Sequence, residues 1–135
     1  IADIAFAKIG MTICYDIRFP HLYRRLAKSG ASILLIPAAF AQPTGRAHWE
    51  VLLRARAIET GCFVIAAAQT GEHQTSQGRP RKTYGHSMIV SPWGEILADA
   101  GEDQGIIYAD LDLSLVESTR ARVPSILSNQ SFSEP

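Results

Sequence analysis

The chain has 135 residues, enough for one domain with a core of modest depth. At 47% hydrophobic and 19% charged residues, it is too apolar to be a disordered polypeptide. Its 13 basic residues balance 13 acidic ones, so charge gives no reason to expect a nucleic-acid partner, and no acidic tail is present.

The longest apolar run, Ile33 to Ile36 continuing through Pro37-Ala38-Ala39-Phe40, falls far short of a membrane span. The opening Ile1-Ala2-Asp3 shows neither a start methionine nor a charged leader, which reads as a fragment or a processed chain. Cys14 and Cys62 are too few for a disulfide framework, so a reducing, cytoplasmic setting is expected. No Cys-x-x-Cys or His-x-x-x-His spacing supports a metal site.

Along the chain, residues 4–14 read as extended segments broken near Gly10. Pro20 suits the first turn of a helix over 20–28, with Leu22, Leu26 and Ala27 on one face and Gly30 at the stop. Residues 32–36 form a short apolar strand of the kind buried on both faces. A loop over 37–45 leads to a helix over about 46–60, where Trp49, Leu52, Leu53 and Ala57 fall at helical spacing and Gly61 ends it. Residues 62–68 are a second buried strand, and the polar stretch 69–82 reads as a long exposed loop. A hairpin follows, with strands 84–90 and 95–100 around Ser91-Pro92-Trp93-Gly94. A strand over 106–111 and a short helix over about 113–122 complete the pattern, and 125–135 reads as a loose tail. Alternating strands and helices with a closing hairpin predict a layered α/β domain with a mixed sheet. The pattern leaves open whether there is one sheet or two.

The chemistry concentrates in Gly10-Met11-Thr12-Ile13-Cys14-Tyr15-Asp16-Ile17-Arg18-Phe19-Pro20. A strand runs into a polar turn and then a helix, which puts Cys14 at a strand's C-terminal end, where α/β proteins place ligands. A helix N-terminus and a nearby cation there would favour the nucleophilic thiolate. Against this stands an inert, buried cysteine, a common role for the residue. Arg18 suits a substrate carboxylate by its bidentate fork. The competing reading, slightly favoured, is an Asp16–Arg18 network that holds the turn. His48 fits either a helix cap or a pocket wall, and Trp49 fits core. Phe40 and Thr44 sit in a loop able to shape a pocket. Arg54, Arg56 and Glu59 read as a structural ion set on their helix. Ser87 lacks the second glycine of a Gly-x-Ser-x-Gly elbow, and Cys62 reads as packing.

The segment Gly10 to Pro20 resembles the nucleophile segment of the nitrilase, or carbon-nitrogen hydrolase, superfamily. The resemblance continues through Pro37-Ala38-Ala39-Phe40, Thr44-Gly45, the run His48 to Glu59, Ala66-Ala67-Ala68-Gln69-Thr70-Gly71, Tyr84-Gly85-His86-Ser87-Met88 and Ser91-Pro92-Trp93-Gly94-Glu95. It covers about residues 9–124, and the Nit-type amidases look most similar. It implies an α-β-β-α sandwich, of which residues 1–135 are the C-terminal part. It also implies a Glu-Lys-Cys triad with Cys14 as nucleophile and the Tyr15 N–H as oxyanion donor, and no cofactor. Substrate-binding candidates are Arg18, Phe40, Thr44 and His48.

The implied reaction is hydrolysis of a small linear amide, of the omega-amide or deaminated-glutathione type, through a thioester. Alternatives on the same scaffold are nitrile or N-carbamoyl hydrolysis, acyl transfer, or an inactive oligomer-forming chain. A homodimer or higher homo-oligomer is expected, with no nucleic acid and no membrane. The triad's glutamate and lysine precede the cysteine in the family. Lys8 is too close along the strand, and Glu50 and Glu59 come too late, so neither role is filled by those residues.

Overall fold

The computed structural model describes residues 1–75, 78–128, 131 and 133. Eight strands form two sheets: β1 (Ala2–Ile4), β2 (Ala7–Met11), β3 (Ile33–Leu35), β4 (Phe63–Ala66), β5 (Thr70–His73), β6 (Arg81–Tyr84), β7 (Met88–Val90) and β8 (Ile96–Asp99). The large sheet has the order β1-β2-β3-β4-β7-β8, and β5-β6 form a separate pair. Strands β2, β3 and β4 are parallel, while β1, β7 and β8 join antiparallel at the two sides. Three α-helices accompany them: α1 (Pro20–Lys28), α2 (Gln42–Thr60) and α3 (Ser114–Arg122). Among the described residues no helix is long and apolar enough to cross a membrane.

Side-chain alternation divides the sheet into two faces. Gly10, Leu34, Val64 and Val90 stand in register, and the latter three join one core with Tyr23 and Ala27 of α1 and Trp49, Leu53 and Ala57 of α2. Gly10 serves close approach here, because a Cβ would stand 2.9 Å from a Leu34 methyl. The opposite face carries Ile33 and Phe63, packed against Val116 of α3. The described residues therefore supply the α1–α2 layer and one large sheet of the implied sandwich, with α3 on the other face, plus the small hairpin sheet.

Several expectations need correction. The first extended segment breaks at residues 5–6, between β1 and β2, and Gly10 lies inside β2. Helix α2 starts at Gln42, four residues before Arg46, because Pro43 suits its first turn and the Thr44 hydroxyl bonds the Ala41 carbonyl at 3.2 Å. The stretch 69–82 is not all loop: it holds β5 and the start of β6. Their contacts are polar, with the facing pair Glu72 and Lys82 at 3.6 Å and a diagonal His73–Thr83 hydrogen bond at 2.7 Å, so no apolar alternation announces them. Residues 84–90 are not one strand, since Gly85 and His86 both adopt positive φ and carry the chain from one sheet to the other. Among the described residues, 106–111 pair with no neighbour and form no strand, leaving Ile106 and Tyr108 exposed.

The tail also differs from its reading at its start. Pro124–Leu127 is a 3-10 turn with Ile126 buried, and Arg24 holds it through the carbonyls of Ser125 and Ser128. Residues 129, 130, 132, 134 and 135 lie outside the described residues. The stop of α3 before Pro124 and the αL cap of α2 at Gly61 follow the sequence reading.

The hairpin docks on α2 through one tight contact. A Cβ on Gly45 would lie 2.3 Å from the Tyr84 Cβ, a part of that side chain that no rotamer change moves away. Gly45→Ala gains about 1 kcal/mol of helix propensity. Overpacking costs about 1–3 kcal/mol and dominates at so short a distance. The expected outcome is a lower urea midpoint with the slope retained; an unchanged or raised midpoint would show that the hairpin is not docked there.

Candidate active site

Strand β2 ends at Met11, and the chain continues extended through Thr12 and Ile13 to a 3-10 turn, Cys14–Arg18. Two backbone bonds fix this passage to the neighbouring strand: Thr12 N–H to the Leu35 carbonyl at 3.0 Å and Cys14 N–H to the Pro37 carbonyl at 2.8 Å. From below, the Thr12 hydroxyl meets the Tyr23 hydroxyl at 2.7 Å, and burial pushes the Tyr23 pKa up to about 12. Asp16 closes the turn, its carboxylate accepting from the Ile13 N–H at 3.0 Å. Cys14 itself has φ of +46°, one of two non-glycine residues at positive φ among the described residues. Such backbone is costly for an L-residue and recurs at functional turns.

Cys14, Tyr15, Arg18, Ala39, Phe40, Ala41, Thr44 and Arg81 line one cleft of about 250 Å³. Phe40 follows β3 as Cys14 follows β2, so the cleft opens beyond the C-terminal ends of parallel strands. The structure thus brings together four of the predicted site residues with the cysteine: Tyr15, Arg18, Phe40 and Thr44. His48 stands one layer back, its Nδ1 3.4 Å from an Arg18 guanidinium nitrogen. The Arg18 guanidinium also lies over the Tyr15 and Phe40 rings, 5.5 and 5.1 Å from their centroids. Asp16 and Arg18 do not form the expected network: Asp16 caps the turn, and Arg18 points to His48 and the rings.

Sequence reading missed Arg81, whose segment looked like solvent-exposed loop. Nothing local marks it; only the β5–β6 pairing carries it to the cleft. Both charged residues of the cleft are arginines, and neither has a carboxylate partner among the described residues. Lys8 pairs with Asp3 at 3.5 Å, Glu50 with Arg54 at 3.2 Å and Glu59 with Arg56 at 2.7 Å, all outside the cleft lining. Among the described residues no group of three His, Cys, Asp or Glu is placed to hold a metal ion.

A larger cavity of about 410 Å³ includes Ser87, but its hydroxyl is held between the N–H and carbonyl of Ala68 at 2.9 and 3.2 Å. Cys62 is fully buried, and burial pushes its thiol up, against the opposing pull of Arg120 at 3.1 Å.

The fold and this cleft define an α/β domain that presents a thiol beyond the carboxyl ends of the parallel strands of a mixed sheet. The chain belongs to the carbon-nitrogen hydrolase family, whose family model matches residues 1–121. It is 51% identical over 122 residues to a deaminated glutathione amidase of Synechocystis, an alignment covering 90% of this chain and 43% of that protein. Among solved structures it is similar to the C. elegans NitFhit protein, at 48% identity and a TM-score of 0.83, covering 91% of this chain and 29% of that one. It is also similar to a mutant amidase from Nesterenkonia sp. AN1 with acrylamide added at its active-site cysteine. There the identity is 28% and the TM-score 0.70, with coverage of 91% and 46%. The chain spans less than half the length of each of these proteins.

The two thiols should separate by reactivity. In the folded chain a neutral maleimide is expected to label Cys14 alone, with Cys62 labelled only after denaturation, as read by peptide mass mapping. Cys62→Ala should lower stability by on the order of 1–3 kcal/mol through a cavity and lost polar contacts. Equal native labelling of both thiols would contradict the assignment of Cys62 to the core.

Proposed function

We propose that this chain is the nucleophile-bearing part of an amidase that hydrolyses a small linear amide, of the omega-amide or deaminated-glutathione type, to acid and ammonia or amine. The observation that carries the reading is Cys14 held at positive φ over the carboxyl edge of the sheet, open to a cleft walled by Arg18, Phe40 and Thr44. The deaminated glutathione amidase relative and the cysteine adduct of the Nesterenkonia amidase support it.

In this mechanism the Cys14 sulfur attacks the carbonyl carbon, and the Tyr15 N–H donates to the developing oxyanion. The carbon–nitrogen bond breaks, and the amine leaves with a proton delivered by a general acid. A thioester remains. Water then attacks the thioester, releasing the acid and restoring the thiol. His48 acts as a positioning residue, holding Arg18 against the two rings.

No carboxylate or lysine lines the cleft among the described residues, so those residues supply neither the base nor the cation of the family's triad there. The chain alone is therefore expected to give no sustained ammonia release from a short omega-amide. The complete gene product should turn over, and Cys14→Ala should remove that turnover with the fold retained. Turnover that survives Cys14→Ala would sink the proposal, and faster turnover of a matched nitrile or N-carbamoyl substrate would move it to a sister chemistry.

We also propose self-association through α1 and α2, where Val51 and Ile58 lie exposed on the outer face of α2. A symmetric pair would bury this face against its own copy. Sedimentation of the complete gene product should show a dimer or larger species, weakened by Val51→Asp with Ile58→Asp. A strict monomer at high concentration would refute it.

A further inference from the structure

The geometry points to Arg81, on the β5–β6 hairpin, as the residue that reads a carboxylate at the far end of the amide substrate. This rests on the reading of Cys14 as the nucleophile.

The argument begins with the backbone of residues 37–39. Ala38 turns both its N–H and its carbonyl toward the β4 side, bonding the Ala67 carbonyl and the Gln69 N–H at 2.9 Å each. By alternation along an extended chain, the carbonyls of Pro37 and Ala39 point the other way, toward the nucleophile turn. Pro37 accepts from the Cys14 N–H at 2.8 Å, and Ala39 accepts from the Arg81 Nη2 at 2.5 Å. The Cys14 N–H and the Arg81 guanidinium are therefore bonded to the same side of one strand extension, at carbonyls two residues or about 7 Å apart along it. That separation matches an acyl chain a few carbons long.

Arg81 also has capacity to spare. A guanidinium carries five N–H donors, and the Ala39 carbonyl takes one of them. No carboxylate among the described residues competes for the rest. Arg18, the other cation of the cleft, is committed to His48 and to the faces of Tyr15 and Phe40. It builds a wall, while Arg81 presents free donors. The hairpin that carries Arg81 is tied to the cleft rim by the bridge between Ala41 and Thr83.

The test uses Cys14 alkylation, which needs no turnover and so applies to the chain as it stands. Rates are measured with N-ethylmaleimide and with 3-maleimidopropionate, a close analogue with a carboxylate, and the anionic-to-neutral ratio is compared with that of the urea-denatured chain. The folded chain should show the higher ratio. Arg81→Gln should lower it about tenfold, the size of one charge-assisted hydrogen bond, and Arg81→Lys should restore part of it. Arg79→Gln, which removes the same charge from an exposed position beside the hairpin, should leave it unchanged. An unchanged ratio in Arg81→Gln, or an equal fall in Arg79→Gln, overturns the Arg81 assignment. Failure of Cys14 to react with either reagent in the folded chain would instead overturn the nucleophile reading itself.

Discussion

Two backbone hydrogen bonds, from Thr12 to Leu35 and from Cys14 to Pro37, extend the β2–β3 pairing past the last residues of both strands. Everything at the cleft depends on that extension. It forces the chain to turn at Cys14 with the thiol outside the sheet, because the next residues must enter a tight 3-10 turn while the Cys14 N–H stays bonded to its neighbour. Positive φ at a cysteine is the consequence, and a bonded surround is what sustains it. Parallel pairing matters as well, since it brings the carboxyl ends of β2, β3 and β4 to one edge.

The helix layer holds this edge from behind. Trp49 is fully buried, packs on Phe40 with ring centroids 4.9 Å apart, and donates its Nε1 to the His86 carbonyl at 2.9 Å. One side chain thus ties the wall of the cleft to the second positive-φ turn. Burying an aromatic of this size contributes about 2–3 kcal/mol, with its polar tip satisfied. Beneath the nucleophile turn, Arg56 is nearly buried yet fully engaged. It bonds the Ile17 carbonyl at 2.8 Å and Glu59 at 2.7 Å, and lies over the Tyr23 ring. Burial raises the Glu59 pKa while Arg56 opposes the shift, as expected for a partly desolvated pair. Such a pair sets the position of the 3-10 turn more than it adds stability.

Electrostatically the cleft is one-sided. Its two charged residues are Arg18 and Arg81, while the nearby acids are occupied: Asp16 in its own turn, Glu50 and Glu59 on arginines of α2. A site of this kind favours an anionic substrate and disfavours a cationic one. Among the described residues no carboxylate, lysine or histidine lines it.

By itself the sequence placed the three central extended segments and the first two helices along the chain, because apolar runs and helical spacing are local signals. It also marked Cys14, Tyr15, Arg18, Phe40, Thr44 and His48 as one group through motif blocks that lie close along the chain, and all but His48 line the cleft. Only the tertiary structure decided what long-range pairing controls. The β5–β6 hairpin is built from polar cross-strand pairs and has no apolar period to read, so neither it nor Arg81 was legible. For Arg18 the sequence offered a substrate carboxylate or Asp16, and packing set it instead against His48 and the two rings. Residues 106–111 had a strand's composition but join neither sheet among the described residues, and pairing, not composition, makes a strand.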